Sequence, residues 1–153
     1  MRRLCSRQTQ QGLFILNTGT SPASSRIPKH LQRAIRHAWE NETYPKFRMA
    51  AVVVKGGSVL ACGHNKLNTD PALVADSDRS LHKVAVHAEA DALKQCGNPK
   101  GSTVYVARIG RNGNVGMARP CCRCQTQLIN AGVTRAVYTI SENEYGVLNL
   151  RNN

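Results

Sequence analysis

The feature that most constrains the fold is a pair of short motifs. His87-Ala88-Glu89 opens one apolar segment with helical period, and Pro120-Cys121-Cys122-Arg123-Cys124 opens another about thirty residues later. Between them, Thr103-Val-Tyr-Val-Ala-Arg108 has the β-branched and aromatic alternation of a strand. Helix, strand, helix in that order makes the two helices consecutive crossovers on one side of a sheet, beginning at the same sheet edge. Whatever else the chain does, it must bring these two helix starts together.

The residue types say what they could hold. Cys121 and Cys124 are three positions apart, so both sulfurs share a helical face, whereas Cys122 lies about 100° around the helix. Free backbone N–H groups and the positive end of the helix dipole favour thiolates there. Pro120 suits the position because its missing N–H would be unpaired anyway. His87, Cys121 and Cys124 together make three protein ligands for zinc, leaving a fourth tetrahedral position for water. Glu89, two residues from the histidine, is suited to move protons beside the metal without binding it. The competing reading is a closed four-ligand zinc site using Cys96 or Cys122, which leaves Glu89 without a role.

The remaining pattern gives the order α-β-β-α-β-α-β, and hence a three-layer or two-layer α/β sheet. Leu31, Ala34, Ile35, Ala38 and Trp39 form one apolar helical stripe after Pro28. Lys29, Arg33, Arg36 and His37 occupy its other face, either as a solvated surface or along a nucleic-acid backbone. Met49 to Lys55 and Val59 to Cys62 read as antiparallel strands joined by Gly56-Gly57-Ser58. A polar loop runs through Asp78, a helix covers Val86 to Cys96 up to Gly97, and a last helix covers Cys121 to Ala131. A strand follows at Ala136 to Ile140. Only Ser141 to Glu144 then precede Tyr145, too short a link for a parallel crossover, so a fifth strand at Tyr145 to Leu150 must be antiparallel. Residues 1–27 read as a flexible basic tail and 28–153 as one domain. The tail has no acidic residue and also fits an organellar transit peptide.

Charge narrows the partners. Of 153 residues, 21 are Lys or Arg against 9 Asp or Glu, a net charge of +12, which suits a polyanion more than a membrane, since no apolar run could span a bilayer. Arg108, Arg111, Arg119, Arg123, Lys66, Lys46 and Arg48 all fall near the expected mouth of the site, and Tyr44, Phe47 or Tyr145 could stack on bases. Arg111, Arg119 and Lys66 are therefore candidate substrate contacts, and single-stranded nucleic acid is the favoured substrate, DNA ahead of RNA. Six cysteines in a core-rich chain read as thiols and metal ligands of a reducing, cytoplasmic-type compartment rather than as staples.

H-x-E followed by P-C-x-x-C is a known signature of zinc nucleobase deaminases, and from the first helix to the fourth strand the chain resembles the cytidine and deoxycytidylate deaminase superfamily. Gly63-His64-Asn65 is similar to that family's Gly-x-Asn after its second strand, which implies that Asn65 contacts the sugar or base of the substrate. The resemblance implies hydrolytic deamination of cytosine to uracil with zinc as cofactor. A free cytidine or dCMP deaminase of pyrimidine salvage is the alternative to a nucleic-acid substrate. A nucleic-acid-binding module on the same scaffold is the alternative of another class, and assembly as a homo-oligomer is left open. The antiparallel fifth strand resembles the cytidine-deaminase branch, while His87 replaces the cysteine typical of its tetrameric members.

Overall fold

Val52 and Val53 are both fully buried, and because neighbouring strand residues point to opposite faces, the sheet that carries them must be covered on both sides. A computed structural model describes residues 26–42, 47–69 and 85–151. Residues 1–25 of the basic tail, Tyr44, Lys46 and most of the polar loop lie outside the described residues.

Helix α1 spans Lys29–Glu40. Strands β1 (Arg48–Lys55), β2 (Ser58–His64), β3 (Lys66–Thr69) and β4 (Ala85–Val86) follow, then α2 (Ala88–Gln95) and β5 (Thr103–Ile109). The chain continues through β6 (Val115–Gly116), α3 (Cys122–Asn130), β7 (Arg135–Thr139) and β8 (Tyr145–Asn149). The main sheet runs β2-β1-β5-β7-β8, with β6 also paired to β5, and β3 and β4 form a separate small ribbon. β5 and β7 are parallel, as the intervening α3 requires, and β7 and β8 are antiparallel, as their short link requires.

The expected order of elements is therefore met, and the layering is three-deep. α1 covers one face, where Leu31, Ala34 and Ala38 pack with Ala50, Val52, Val54, Ala107 and Ile109. α2 and α3 cover the other, where Ala88, Ala92 and Leu128 meet Ala51, Val53, Val104, Val106 and Tyr138. Truncating a buried leucine such as Leu31 to alanine in a core of this kind costs about 2–5 kcal/mol.

Three glycines explain local geometry. Gly56 and Gly57 have φ of 56° and 80° and connect the paired Lys55 and Ser58, a two-residue hairpin turn with both central residues left-handed. Gly63 lets β2 and α2 touch backbone to backbone: a Cβ there would lie 2.2 Å from the Ala92 nitrogen and 2.4 Å from the Ala88 oxygen.

Trp39 departs from expectation. It continues the apolar stripe in sequence, yet it is 47% exposed. Ala38, its neighbour on the stripe, is fully buried against the sheet, so Trp39 is the position at which the stripe turns outward. The Trp39 ring instead carries the Arg48 guanidinium at 4.7 Å and lies against Gly113. No described helix is long and apolar enough to cross a membrane.

Candidate zinc centre

His87 and Cys121 occupy equivalent places: each is the extended residue just before a helix, with ψ of 151° and 168° respectively. Neither side chain caps its own helix, so both are free to turn outward while their carbonyls accept the first helical bonds, from Asp91 N–H and Gln125 N–H. The approach to α3 is pinned twice. The buried Gln125 amide donates to the Pro120 carbonyl at 2.8 Å, and Ala118 N–H donates to the Thr139 carbonyl at 2.9 Å.

The result is convergence. His87 Nδ1 lies 3.5 Å from Cys121 Sγ and 3.3 Å from Cys124 Sγ. Two ligands on one tetrahedral zinc, with Zn–S of about 2.3 Å and Zn–N of about 2.0 Å, stand about 3.5 Å apart. These three residues are the one group of His, Cys, Asp or Glu among the described residues whose ligand atoms all lie within 4.8 Å of each other. The donor set and spacing fit zinc. Cys96, at the far end of α2, and Cys122, exposed beside the pair, lie outside the trio, so the closed four-ligand site is not formed.

Protonation fits as well. Hydrogen bonding from Cys124 holds the Cys121 thiol down at about 4, below its ordinary value, with a further contribution from His87. The same shared proton, together with burial, drives Cys124 upward. His87 is raised, chiefly by its hydrogen bond with Cys121. Glu89 is 2% exposed, and burial raises its carboxyl above the usual range, while His87 partly offsets this. A buried carboxyl with raised proton affinity beside the metal ligands has the environment in which catalytic acids and bases are found.

The expected substrate contacts lie in different settings. The Asn65 side chain is buried: its oxygen accepts from Asn41 Nδ2 at 2.7 Å and Met49 N–H at 2.8 Å, and its nitrogen donates to the Phe47 carbonyl at 3.1 Å. Its described hydrogen bonds thus tie α1, β1 and β2 together. Lys66 gives its ammonium to Asp91 at 2.9 Å. Arg119 stands beside Tyr138, whose phenol burial pushes up and the guanidinium pulls back. Arg108 lies over the Phe47 ring at 4.6 Å. Arg111 is exposed on the loop after β5, and Tyr145 is half-buried against the α1 side of the sheet.

Asp91 escaped the sequence reading. It is buried and accepts from His64 N–H, Lys66 and Gln95 at 3.0, 2.9 and 3.2 Å. Its signal was there: a carboxylate four residues beyond the ligand histidine, on a helix whose inner face is otherwise alanine.

Residues 24–140 match the family model of the cytidine and deoxycytidylate deaminase zinc-binding region. No curated protein matches. Among solved structures, the cytidine deaminase of Burkholderia pseudomallei is similar with a TM-score of 0.57 and 22% identity, over 81% of this chain and 94% of that one. The dCMP deaminase of cyanophage S-TIM5, in complex with dCMP and dUMP, is similar with a TM-score of 0.50 and 21% identity, over 74% of this chain and 83% of that one. The cytidine deaminase of Mycobacterium leprae gives 0.50 and 20%, over 78% and 89%. At these identities the likeness is one of fold.

Proposed function

Since the chain belongs to the cytidine and deoxycytidylate deaminase zinc-binding family, we propose that it hydrolyses the exocyclic amine of a cytosine ring, yielding uracil and ammonia, with Glu89 as the proton carrier. The observation that carries this is the buried Glu89 carboxyl beside the converged His87, Cys121 and Cys124.

When held by His87, Cys121 and Cys124, zinc supplies Lewis acidity that makes a water nucleophilic near neutral pH. Glu89 takes the proton that this water gives up as its oxygen adds to the amino-bearing carbon, and passes it to the ring nitrogen. The same carboxyl, a carboxylate again, then takes the proton of the newly added hydroxyl as the carbonyl forms and delivers it to the amine, which departs as ammonia when its bond to the ring carbon breaks. Its raised affinity for protons suits both duties, because a carboxyl of ordinary acidity is almost wholly ionised near neutral pH and spends little time holding a proton to give. Burial at the start of α2, where Glu89 is 2% exposed, keeps the carboxyl dry.

For the substrate, a free cytosine nucleoside or nucleotide is the reading we favour. Four cations that sequence assigned to a strand-tracking mouth have intramolecular partners: Arg48 with Trp39, Arg108 with Phe47, Lys66 with Asp91, and Arg119 with Tyr138. The cyanophage relative, crystallised with dCMP and dUMP, supports a small substrate. Single-stranded nucleic acid is the second reading, favoured by the net charge of +12. The test is to incubate purified protein with cytidine, dCMP and a single-stranded oligonucleotide at low salt and quantify uracil product in each. Turnover of cytidine or dCMP with none of the oligonucleotide is expected. The reverse result establishes the nucleic-acid reading, and no turnover of any cytosine substrate removes the deaminase reading altogether.

A further inference from the structure

Every described acid stands at one end of the sheet, the end that carries the catalytic trio. Glu40 and Glu42 lie at the close of α1, where Arg48 donates to the Trp39 carbonyl and pairs across to Ile109, the last residue of β5. Glu89 and Asp91 are in the first turn of α2. Glu142 and Glu144 are in the link from β7 to β8, and Glu142 accepts the Val115 N–H of β6, which is paired to the same end of β5.

The opposite end, roughly 20 Å away along the seven residues of β5, carries cations and no acid among the described residues. Val54, Thr103, Arg135 and Asn149 are successive partners across β1, β5, β7 and β8 there. Lys55 continues this row on one side and Arg151 on the other. Lys100 is in the loop before β5, which Gly101 N–H ties to the Gly132 carbonyl at 2.8 Å. α1 begins at this end too, bringing Arg26 and Lys29: Ile27 packs on the sheet face that holds Val54 and Val147, and the His30 ring is 5.4 Å from that of Tyr105. Arg26, Lys29, Lys55, Lys100, Arg135 and Arg151 are all exposed. Two exposed amides sit among them. Asn98 Oδ1 accepts the Lys100 N–H at 3.1 Å, and Asn149 Oδ1 accepts the Arg151 N–H at 3.0 Å. With the oxygens engaged, both side chains offer their NH2 groups as donors beside a cation.

We propose that this end is a docking surface for nucleic acid, gripped by its phosphate backbone and separate from the catalytic reaction. A single phosphate is served by one or two cations, whereas cations and amide donors spread over the ends of β1, β7 and β8 and the start of α1 match a succession of phosphates. An acidic membrane is the other extended polyanion, but binding at a membrane interface draws on exposed aromatic side chains, and the exposed Trp39 stands at the acid-bearing end of α1. The grip is on the backbone, so it is indifferent to base sequence and leaves the zinc centre open to free substrate. It holds whether or not that substrate is a cytosine.

A fluorescein-labelled oligothymidylate, which has no cytosine to occupy the zinc centre, tests this by fluorescence anisotropy with the full chain. Saturable binding is expected at low salt, falling as roughly the 0.7 power of salt for each phosphate contacted. Arg135→Gln combined with Arg151→Gln should weaken it by about tenfold or more and lower the salt slope by about 1.4, with melting temperature and cytidine turnover unchanged. Arg36→Gln combined with Arg111→Gln removes the same charge away from this end and should leave binding within about twofold of wild type. Absence of binding by wild type at low salt overturns the proposal. So does a loss in the first pair no greater than in the second, which makes the attraction one of net charge alone. Binding of acidic phospholipid vesicles without binding of oligothymidylate gives the surface to a membrane and overturns it as well.

Discussion

Lys66 and Asp91, 25 residues apart, meet at 2.9 Å where the end of β2 crosses α2, and the same carboxylate caps the His64 N–H. The two partners differ in burial: 38% exposed for the lysine side chain and 10% for the aspartate. Replacing Lys66 by methionine should therefore cost under about 1 kcal/mol, as for exposed ion pairs generally. Asp91→Ala removes a buried acceptor and leaves the part-buried His64 N–H without it, and should cost about 1–3 kcal/mol. Urea denaturation of both variants checks this, and equal losses would show that the ion pair, not the backbone cap, holds the crossing.

Glu89→Gln should retain zinc and lose turnover by a factor of about 10² to 10⁴, the range of general acid–base catalysis. It should also stabilise the chelator-treated protein at neutral pH. Burial raises the Glu89 carboxyl above its unfolded value, so the native state binds more protons than the unfolded one across that interval. Stability of wild type then falls as pH climbs through the raised value, whereas glutamine does not titrate. The gap between the two proteins should close below the ordinary carboxyl range, near pH 4. Parallel denaturation curves of wild type and variant from pH 4 to pH 8 would expose any error in the sign.

Cys121→Ser and Cys124→Ser should each empty the catalytic zinc site and abolish turnover, whereas Cys122→Ser should do neither. With free zinc at about a hundred times its dissociation constant, binding should stabilise the fold by about 2.7 kcal/mol, an increment that both ligand variants forfeit at this site. Calorimetric melting with and without a chelator measures it. Loss of the catalytic ion in Cys122→Ser alone would mean that the wrong sulfur was chosen.

Arg111 and Arg119 were candidate contacts of equal standing in the sequence, and the structure separates them. Arg111 is exposed on its loop, so Arg111→Ala should leave stability within about 0.5 kcal/mol of wild type. Arg119 faces Tyr138, whose ring is fully buried, so Arg119→Ala should lower the melting temperature and reduce turnover of cytidine as well as of dCMP. A small-substrate enzyme should also show little salt dependence in either variant. A steep salt slope that Arg111→Ala flattens would revive the nucleic-acid substrate.

Much of this was readable in advance where the chemistry is local. The glycine pair of the first hairpin, the helix starts at His87 and Cys121, and the short link before β8 each follow from a few consecutive residues. What was not readable depends on pieces meeting from afar. Trp39 obeys the stripe of α1, yet its ring meets Arg48 and Gly113, which belong to two distant segments of the chain. The cations near the mouth could be counted from sequence, but their aromatic and acidic partners lie on other elements. Asn65 reads as a substrate ligand by resemblance, and its described hydrogen bonds to Asn41, Phe47 and Met49 could not be foreseen, because those three groups come together only once α1 has docked.

The bare backbone contact at Gly63 leaves that position an alphabet of one letter. A methyl group there would overlap the Ala92 nitrogen and the Ala88 oxygen, and α2 cannot back away without withdrawing His87 and Glu89 from the two thiols. A library carrying all twenty residues at position 63, selected for turnover and sequenced, should return glycine alone, while a library at Gly97, where a Cβ meets nothing within 4 Å, should return many residues. Drift in this molecule is thus blocked at a spot that neither binds metal nor moves a proton.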